Sequence, residues 1–385
     1  MNDVADIRFE PPVGVEVELC CRYRCTKSGC SACAEVCPVP GAVLMLDQGP
    51  EISDACVACG ACASACPNGA LRLIESDQTL TERIQRRVRH GHVFRIACGR
   101  AEGRADLVLQ CLGRLTEALV LEPLRGGAEH VELLDPDCAG CALRKAAPQW
   151  EKILMFSRAL CESAGLDADR ICRVGVATGR PVEVRGPEEF RKSRRALFRA
   201  MADPWTSGEA LAAPRSAGPE SFREIVRHHR ENPKRAALLQ VLENLPVAKV
   251  VPNAVPAAIA RLADLEIGHQ CVGCNVCETL CPTQALRHRE TDGCYALDFD
   301  AALCTGCGVC AAACFHKAIR MRETVDVSAL FARSKVTLIS GARQTCNACR
   351  ETFLGASPGL CPLCQVSDRR RAMVARRILF GEDPR

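Results

Sequence analysis

Cys56-Val57-Ala58-Cys59-Gly60-Ala61-Cys62-Ala63-Ser64-Ala65-Cys66-Pro67 is the stretch from which the rest of the chain can be read. Three cysteines stand two residues apart, a fourth follows after three more, and proline comes directly behind it. The same spacing recurs at Cys271, Cys274, Cys277 and Cys281, with Pro282, and at Cys304, Cys307, Cys310 and Cys314. A further copy near the N-terminus is irregular: Cys25-x4-Cys30-x2-Cys33-x3-Cys37, with Pro38 after it. This spacing holds cubane [4Fe–4S] clusters in pairs, the last cysteine of each run serving the other cluster of the pair. The runs themselves come in two pairs, one toward each end of the chain.

The spacing has a physical cause. A cubane offers one iron corner to each of four thiolates, and three cysteines two residues apart wrap one loop around three corners. The last corner is reached from elsewhere. The cysteine before proline lies where the chain leaves the loop, and proline fixes that exit direction. One N-terminal set is therefore Cys25, Cys30, Cys33 and Cys66, and the other is Cys56, Cys59, Cys62 and Cys37. Toward the C-terminus the sets are Cys271, Cys274, Cys277 with Cys314, and Cys304, Cys307, Cys310 with Cys281. Zinc and disulfides are the alternatives, but zinc favours two separated C-x2-C pairs.

Residues 20–75 and 268–322 resemble two-cluster bacterial ferredoxins. Each half-motif is followed by a short apolar stretch: Gly41-Ala42-Val43-Leu44, Gly69-Ala70-Leu71, Gln284-Ala285-Leu286 and Lys317-Ala318-Ile319. The resemblance implies a pseudo-twofold fold of short hairpins and short helices around two cubanes. Two departures stand out. Where a regular first motif would place its first ligand the chain has Lys27, so Cys25, or else Cys20 or Cys21, must substitute through a longer loop. Phe315 replaces proline after Cys314, which alters the loop exit more than the ligation.

At 385 residues the chain is too long for such modules alone and calls for three or four units. Its 29 cysteines lie mostly in metal spacings rather than in a scattered disulfide framework. Thiolates of this kind need a reducing compartment. Residues 1–18 carry acids and no long apolar core, unlike a secretory signal, and nowhere do about 18 apolar residues run together. The expected location is the cytoplasm. The expected fold class is α+β and multidomain: two 2[4Fe–4S] ferredoxin-like modules at 1–78 and 266–325, an α/β parallel-sheet domain at 79–180, a basic helical linker at 181–265, and a zinc-ribbon-like segment with a basic C-terminal helix at 326–385.

In the α/β domain, Val93–Ala97, Asp106–Leu109, His130–Leu134 and Arg170–Ala177 read as strands. Helices are expected from Thr116 to about Arg125 and from about Ala147 to Ala164. Alternation of this kind makes a parallel sheet, and Cys98, Cys111, Cys138 and Cys141 fall in loops beyond strand ends, where parallel sheets bind ligands. The segment resembles the delta subunit of methyl-viologen-reducing hydrogenase in Cys98 after a strand, Cys111-Leu112-Gly113-Arg114, Arg125-Gly126-Gly127-Ala128 and Asp137-Cys138-Ala139-Gly140-Cys141. That resemblance implies a [2Fe–2S] site coupling modules within a larger redox complex. Zinc, or thiols buried as small apolar groups, are the competing readings. Cys161 and Cys172 read as buried side chains of a helix and a strand.

From Arg185 through Arg235 there are twelve Lys/Arg against seven Asp/Glu, so the linker is basic. Helices are expected over Pro187–Ala202 and Glu220–Leu242, either with solvated basic faces or with a surface for an acidic partner. With two Trp and two Tyr there is no aromatic–basic stacking pattern, and nucleic acid is not expected. Cys346-x2-Cys349-x11-Cys361-x2-Cys364 supplies the two knuckles of a zinc ribbon, with a rubredoxin-like single iron as the competitor. Four cysteines close the coordination sphere, so this metal would stabilise a short segment rather than do chemistry. Ser367–Phe380 reads as a helix.

No dinucleotide fingerprint, phosphate loop or Ser–His–Asp set is present. The expected function is electron transfer in a subunit that serves a catalytic redox partner, such as a hydrogenase, formate dehydrogenase or other reductase, with a ferredoxin or other carrier at the other end. Its cofactors would be four [4Fe–4S] clusters, a [2Fe–2S] cluster in the middle segment, and one zinc or iron. The other classes are a maturation factor for a complex metalloenzyme and a redox-responsive regulator.

Overall fold

The computed structural model describes residues 12–179, 223, 226, 229–355 and 358–380. The expected helix Pro187–Ala202 lies outside them.

The middle of the chain builds a four-stranded parallel sheet in the order Leu107–Leu109, Val93–Cys98, His130–Asp135, Ile171–Gly175. Phe94, Ile96, Leu107, Val131, Leu133 and Ile171 of its strands are buried on one face, whereas Arg95, Val108 and Arg173 between them are exposed. The helices Asp77–Arg87, Glu117–Arg125 and Ala147–Ser163 bury Leu80, Ile84, Leu119, Trp150 and Phe156 in its core. Each such side chain contributes roughly 1.5–3 kcal/mol. Ser76 opens the first of these helices by accepting the Thr79 N–H at 3.2 Å. That helix spans the expected boundary at residue 78.

The two cysteine-run modules share one plan. In the first, Val13–Val15 pairs antiparallel with Leu71–Leu73, and a hairpin joins Val43–Met45 to Pro50–Ile52. In the second, Leu265–Ile267 pairs with Ile319–Met321, and the hairpin joins Leu286–Thr291 to Cys294–Asp300. Each module carries two short helices, Ala32–Glu35 and Ala61–Ala65 in one, Val276–Leu280 and Val309–Ala313 in the other. The hairpin of the second module is extended. Lys335–Thr345 adds to Cys294–Asp300, and Thr352–Leu354 adds beyond it, making a four-stranded antiparallel sheet. The C-terminal cysteine segment is thus tied into the second module by backbone pairing.

The linker is part of the interior. Glu220–Leu242 does not form one helix: residues 229–232 are non-helical, and a helix starts afresh at Pro233 and runs to Glu243. Asn232 caps it, its Oδ1 accepting the N–H groups of Lys234 and Arg235 at 3.1 and 3.2 Å. Proline at the first helical position forbids continuation from upstream and suits a helix start. Leu238, Leu239, Val241 and Leu242 join the core of the parallel-sheet domain, and Val325, Val327 and Leu330 after the second module join it too. The last helix is Pro362–Phe380. Among the described residues no helix is long and apolar enough to cross a membrane.

Candidate cluster-binding sites

In the three regular runs the backbone takes one shape. The residue two after the first cysteine has a left-handed conformation (Ala58, Gly273, Gly306), and so does the residue two further on (Gly60, Asn275, Gly308). These bends aim successive N–H groups inward at sulfur. The Cys304 sulfur accepts the Gly306 N–H at 3.5 Å, and the N–H groups of Ala58, Ala61, Gly273 and Val309 favour the charged forms of Cys56, Cys59, Cys271 and Cys307. The fourth sulfur of a run accepts from four residues on, Ala70 to Cys66 and Ala318 to Cys314, both at 3.3 Å.

The sulfurs of a run act on one another and on the last cysteine of the paired run. Burial pushes the Cys59 thiol up to about 11 and Cys62 well above the usual range, with Cys37 and Cys56 adding repulsion to both. Burial raises Cys33 to about 12, helped by Cys66, Cys30 and Cys20. In the second module burial raises Cys277 to about 12, with Cys271, Cys274 and Cys314 adding to it. Cys304 is likewise raised to about 12 by burial, with Cys307 and Cys281 contributing. Buried thiolates that repel one another this strongly need a compensating cation. A metal cluster meets that need, so the residues fit the group.

Cys98 ends a strand of the parallel sheet, Cys111 follows the next, and Cys138 and Cys141 follow a third. All four line one cavity of ≈ 180 Å³, together with Arg100 and Trp150. The Cys111 sulfur accepts the Gly113 N–H and Cys141 that of Leu143, each at 3.3 Å. Burial drives Cys111 to about 12, and burial with Asp135 drives Cys138 to about 11. Arg100 Nε and Nη1 are buried beside them without a hydrogen-bond partner. An orphaned guanidinium against four crowded thiols suits an anionic metal–thiolate group. Cys161 is buried in its helix and Cys172 half-buried in its strand, apart from this cavity.

Cys346, Cys349, Cys361 and Cys364 are packed differently, with ligand atoms all within 4.8 Å of one another. Among the described residues no other group of three or more His, Cys, Asp or Glu is so tight. One ion holding four sulfurs at about 2.3 Å needs that closeness, whereas a cubane with four separate corners needs its sulfurs further apart. This set could hold a single metal ion.

Residues 270–318 match the 4Fe-4S dicluster domain, and residues 51–72 match the 4Fe-4S binding domain. The chain carries two 4Fe–4S ferredoxin-type domains. Together with the cysteine geometry they make it an iron–sulfur protein of the electron-transfer type. Neither match reaches the parallel-sheet segment, so the resemblance to a hydrogenase delta subunit drawn from its cysteines has no support there. No curated protein matches the chain.

The modules are in contact, which sequence reasoning missed. Cys59 of the first and Cys111 of the middle site share one apolar cluster with Ala61, Leu143 and Ala146. Gly60 and Gly113 make this approach possible. A Cβ on Gly60 would lie 2.0 Å from Arg114 Cδ, and one on Gly113 would lie 2.9 Å from the Ala146 Cβ. On the other side, Cys21 packs against both Cys30 and Cys307. That contact holds Cys30 down to about 6 and Cys307 to about 7. Asn68 braces the junction, donating to Cys21 Sγ at 3.2 Å and to the Leu19 carbonyl at 3.0 Å, while Thr305 donates to Asn68 Oδ1 at 2.5 Å.

Buried cations lock the arrangement. Arg24, with 0 % of its surface exposed, donates to the carbonyls of Glu18, Thr279 and Leu280, tying the N-terminal segment to the end of the helix Val276–Leu280. Lys234 donates to the carbonyls of Ala63, Ser64 and Cys66, and Arg261 to that of Ala65. Each module thus has the C-terminal carbonyls of one short helix caught by a cation from another segment, where the helix dipole favours positive charge. Arg235 joins the carbonyls of Arg261 and Cys304. Lys234 and Arg235 are internal fastenings, neither a solvated face nor a partner surface.

Proposed function

We propose that the chain is an electron-relay subunit of a larger redox complex, with its metal sites fixed in one row. The observation that carries this is the pair of module contacts, Cys59 against Cys111 and Cys30 against Cys307 through Cys21. They order the cysteine sets as the middle site, then Cys37, Cys56, Cys59 and Cys62, then the set of Cys30, Cys33 and Cys66. The row continues with Cys281, Cys304, Cys307 and Cys310 and ends with Cys271, Cys274, Cys277 and Cys314. In this reading the four ferredoxin-type sets hold [4Fe–4S] clusters, the middle cysteines a [2Fe–2S] cluster, and the C-terminal cysteines zinc. Each iron–sulfur group supplies one-electron storage.

The residues of the chain keep the row dry and rigid. Ala61, Leu143 and Ala146 exclude water at one junction, and Val309 with Cys25 does so at the other. Both ends of the row are open: Cys274 is exposed, and the middle cysteines line a cavity. Contacts at both ends fit a partner enzyme such as a hydrogenase, formate dehydrogenase or other reductase on one side and a soluble carrier on the other, in a reducing compartment such as the cytoplasm. Anaerobic protein should carry about 18 irons and one zinc per chain and co-purify in fixed stoichiometry with a catalytic subunit. About eight irons, or transient binding to an apo-enzyme alone, would overturn the relay.

A further inference from the structure

The row read above puts two groups of cysteines at its centre, that of Cys30, Cys33 and Cys66 and that of Cys281, Cys304, Cys307 and Cys310, which adjoin through Cys21. We propose that these two central groups are the electron store of the row. Held at a higher potential than the groups outside them, they gather two electrons in the middle of the chain. This rests on the reading of the chain as a relay.

Cations meet the ligand backbone at the central groups and not at the outer ones. Arg22 Nε donates to the carbonyl of Cys30 at 2.7 Å, Lys234 Nζ to that of Cys66 at 2.9 Å, and Arg235 Nη2 to that of Cys304 at 2.8 Å. All three acceptors belong to the central groups. Arg261 Nη1 takes the carbonyl of Ala65, next to Cys66, and Arg24 Nε takes that of Leu280, next to Cys281, at 3.1 Å. Among the described residues no side-chain cation donates to the carbonyl of a cysteine in either outer group. Lys234 does reach the Ala63 carbonyl, beside Cys62, at the longer distance of 3.2 Å.

The arginines close to the outer groups are balanced by acids. Arg114, packed on Gly60, pairs with Asp77. Arg343, stacked on Tyr295 beside the Cys271 group, pairs with Glu290. At the centre, Glu18 and Glu117 act on Arg24, Lys234 and Arg235. Glu18 is already paired with Arg230, so the centre keeps an excess of positive charge.

A cubane that takes up an electron gains negative charge, and a cation held a few bonds from its sulfur stabilises that state. Arg24 and Arg235 are buried, and buried charges are little screened. The central groups are therefore reduced before the outer ones. A low-potential one-electron carrier loses one electron to each central cubane, which passes from its 2+ to its 1+ state, and no bond or proton changes place. Electrons delivered singly then stand together for a partner that transfers them in pairs.

The test is a redox titration of the full chain, purified anaerobically and followed by electron paramagnetic resonance. Cys56→Ser and Cys274→Ser identify the outer groups by the wild-type signals that they shift, and in the wild-type titration those signals should appear last. Lys234→Met should make reduction of the Cys66 group about tenfold less favourable, or 59 mV lower for one electron, with iron content unchanged. Arg235→Met should do the same at the Cys304 group. Lys234→Arg keeps the charge and should stay within about threefold of wild type. Outer signals that appear first, potentials unmoved in K234M and R235M, or equal shifts in K234M and K234R would each overturn the proposal. The wild-type titration decides it even where a variant folds poorly. Fewer than four cubanes in wild type would instead refute the relay reading itself.

Discussion

The first cysteine run and the other three solve one problem in two ways. Three runs bend a single loop around three corners, at the cost of left-handed residues at fixed offsets, among them the non-glycines Ala58 and Asn275. The first run has no such bends. It holds Cys30 and Cys33 in a stretch without them, and Cys30 packs against Cys21 and Cys25 of the preceding segment. Where the loop is regular, ligation is local and legible in spacing. Where it is not, the neighbouring segment Cys21–Arg24 packs beside the run, and that segment is itself held by the second module through Arg24.

The sharpest way to break this comparison is to add the same methyl group to both kinds of loop. Gly306 has φ +64°, and a Cβ there would lie 2.9 Å from the Leu262 carbonyl oxygen, a backbone atom that cannot swing aside. Gly306→Ala should cost about 2–4 kcal/mol, from left-handed strain and displacement together. Gly29 is exposed, and nothing lies within 4 Å of a Cβ placed on it. Gly29→Ala should stay within about 0.5 kcal/mol of wild type. Thermal scans with iron retention measure both. Equal losses would mean that the two loops are not different in kind.

A smaller effect is expected where the first run depends on the second module. Arg24→Met keeps the apolar stem and removes the donors to Glu18, Thr279 and Leu280. Buried carbonyls at a helix end would lose their partner, at about 2–3 kcal/mol in total. The loss should appear as faster amide exchange in residues 16–25 and 276–281, while the helix Ala61–Ala65, held by Lys234, stays protected. Uniform deprotection of both modules would show that Arg24 is not a local fastening.

The sequence made the elements plain and the assembly obscure. The parallel sheet could be read because Val93–Cys98 and His130–Asp135 are apolar runs of strand length between turn residues, and the runs of cysteines set their own grouping. The contacts between modules had no such signal. Arg24, Lys234 and Arg235 look like any basic residues of a solvated surface, and only the carbonyls waiting at helix ends tens to hundreds of residues away make them interior. Pro233 did mark a helix start, but the basic character of the segment around it suggested one continuous helix. The strand Lys335–Thr345 mixes exposed and half-buried positions, so its place in the sheet of the second module is decided by its partner strand. Cys21 packs with both Cys30 and Cys307, a contact between modules that spacing alone cannot reveal.

The finest probe of the comparison is the junction that both solutions share. Thr305 sits inside a regular run, between Cys304 and Cys307, yet its hydroxyl reaches Asn68, which donates to Cys21 beside the irregular run. Thr305 and Asn68 together favour the charged form of the Cys307 sulfur. Thr305→Val preserves shape and removes the hydroxyl, costing about 1 kcal/mol. The Thr305 hydroxyl spends its proton on Asn68 Oδ1 and so fixes the Asn68 amide as a donor toward sulfur, which favours the reduced state of a group held there. Its removal should therefore lower one midpoint potential by about 40 mV, since 59 mV corresponds to a tenfold change for one electron. Redox titration followed by electron paramagnetic resonance reads that shift. A change at the set of Cys271, Cys274, Cys277 and Cys314 instead would place Thr305 beside the wrong neighbour, and a rise in potential would reverse the sign of the argument.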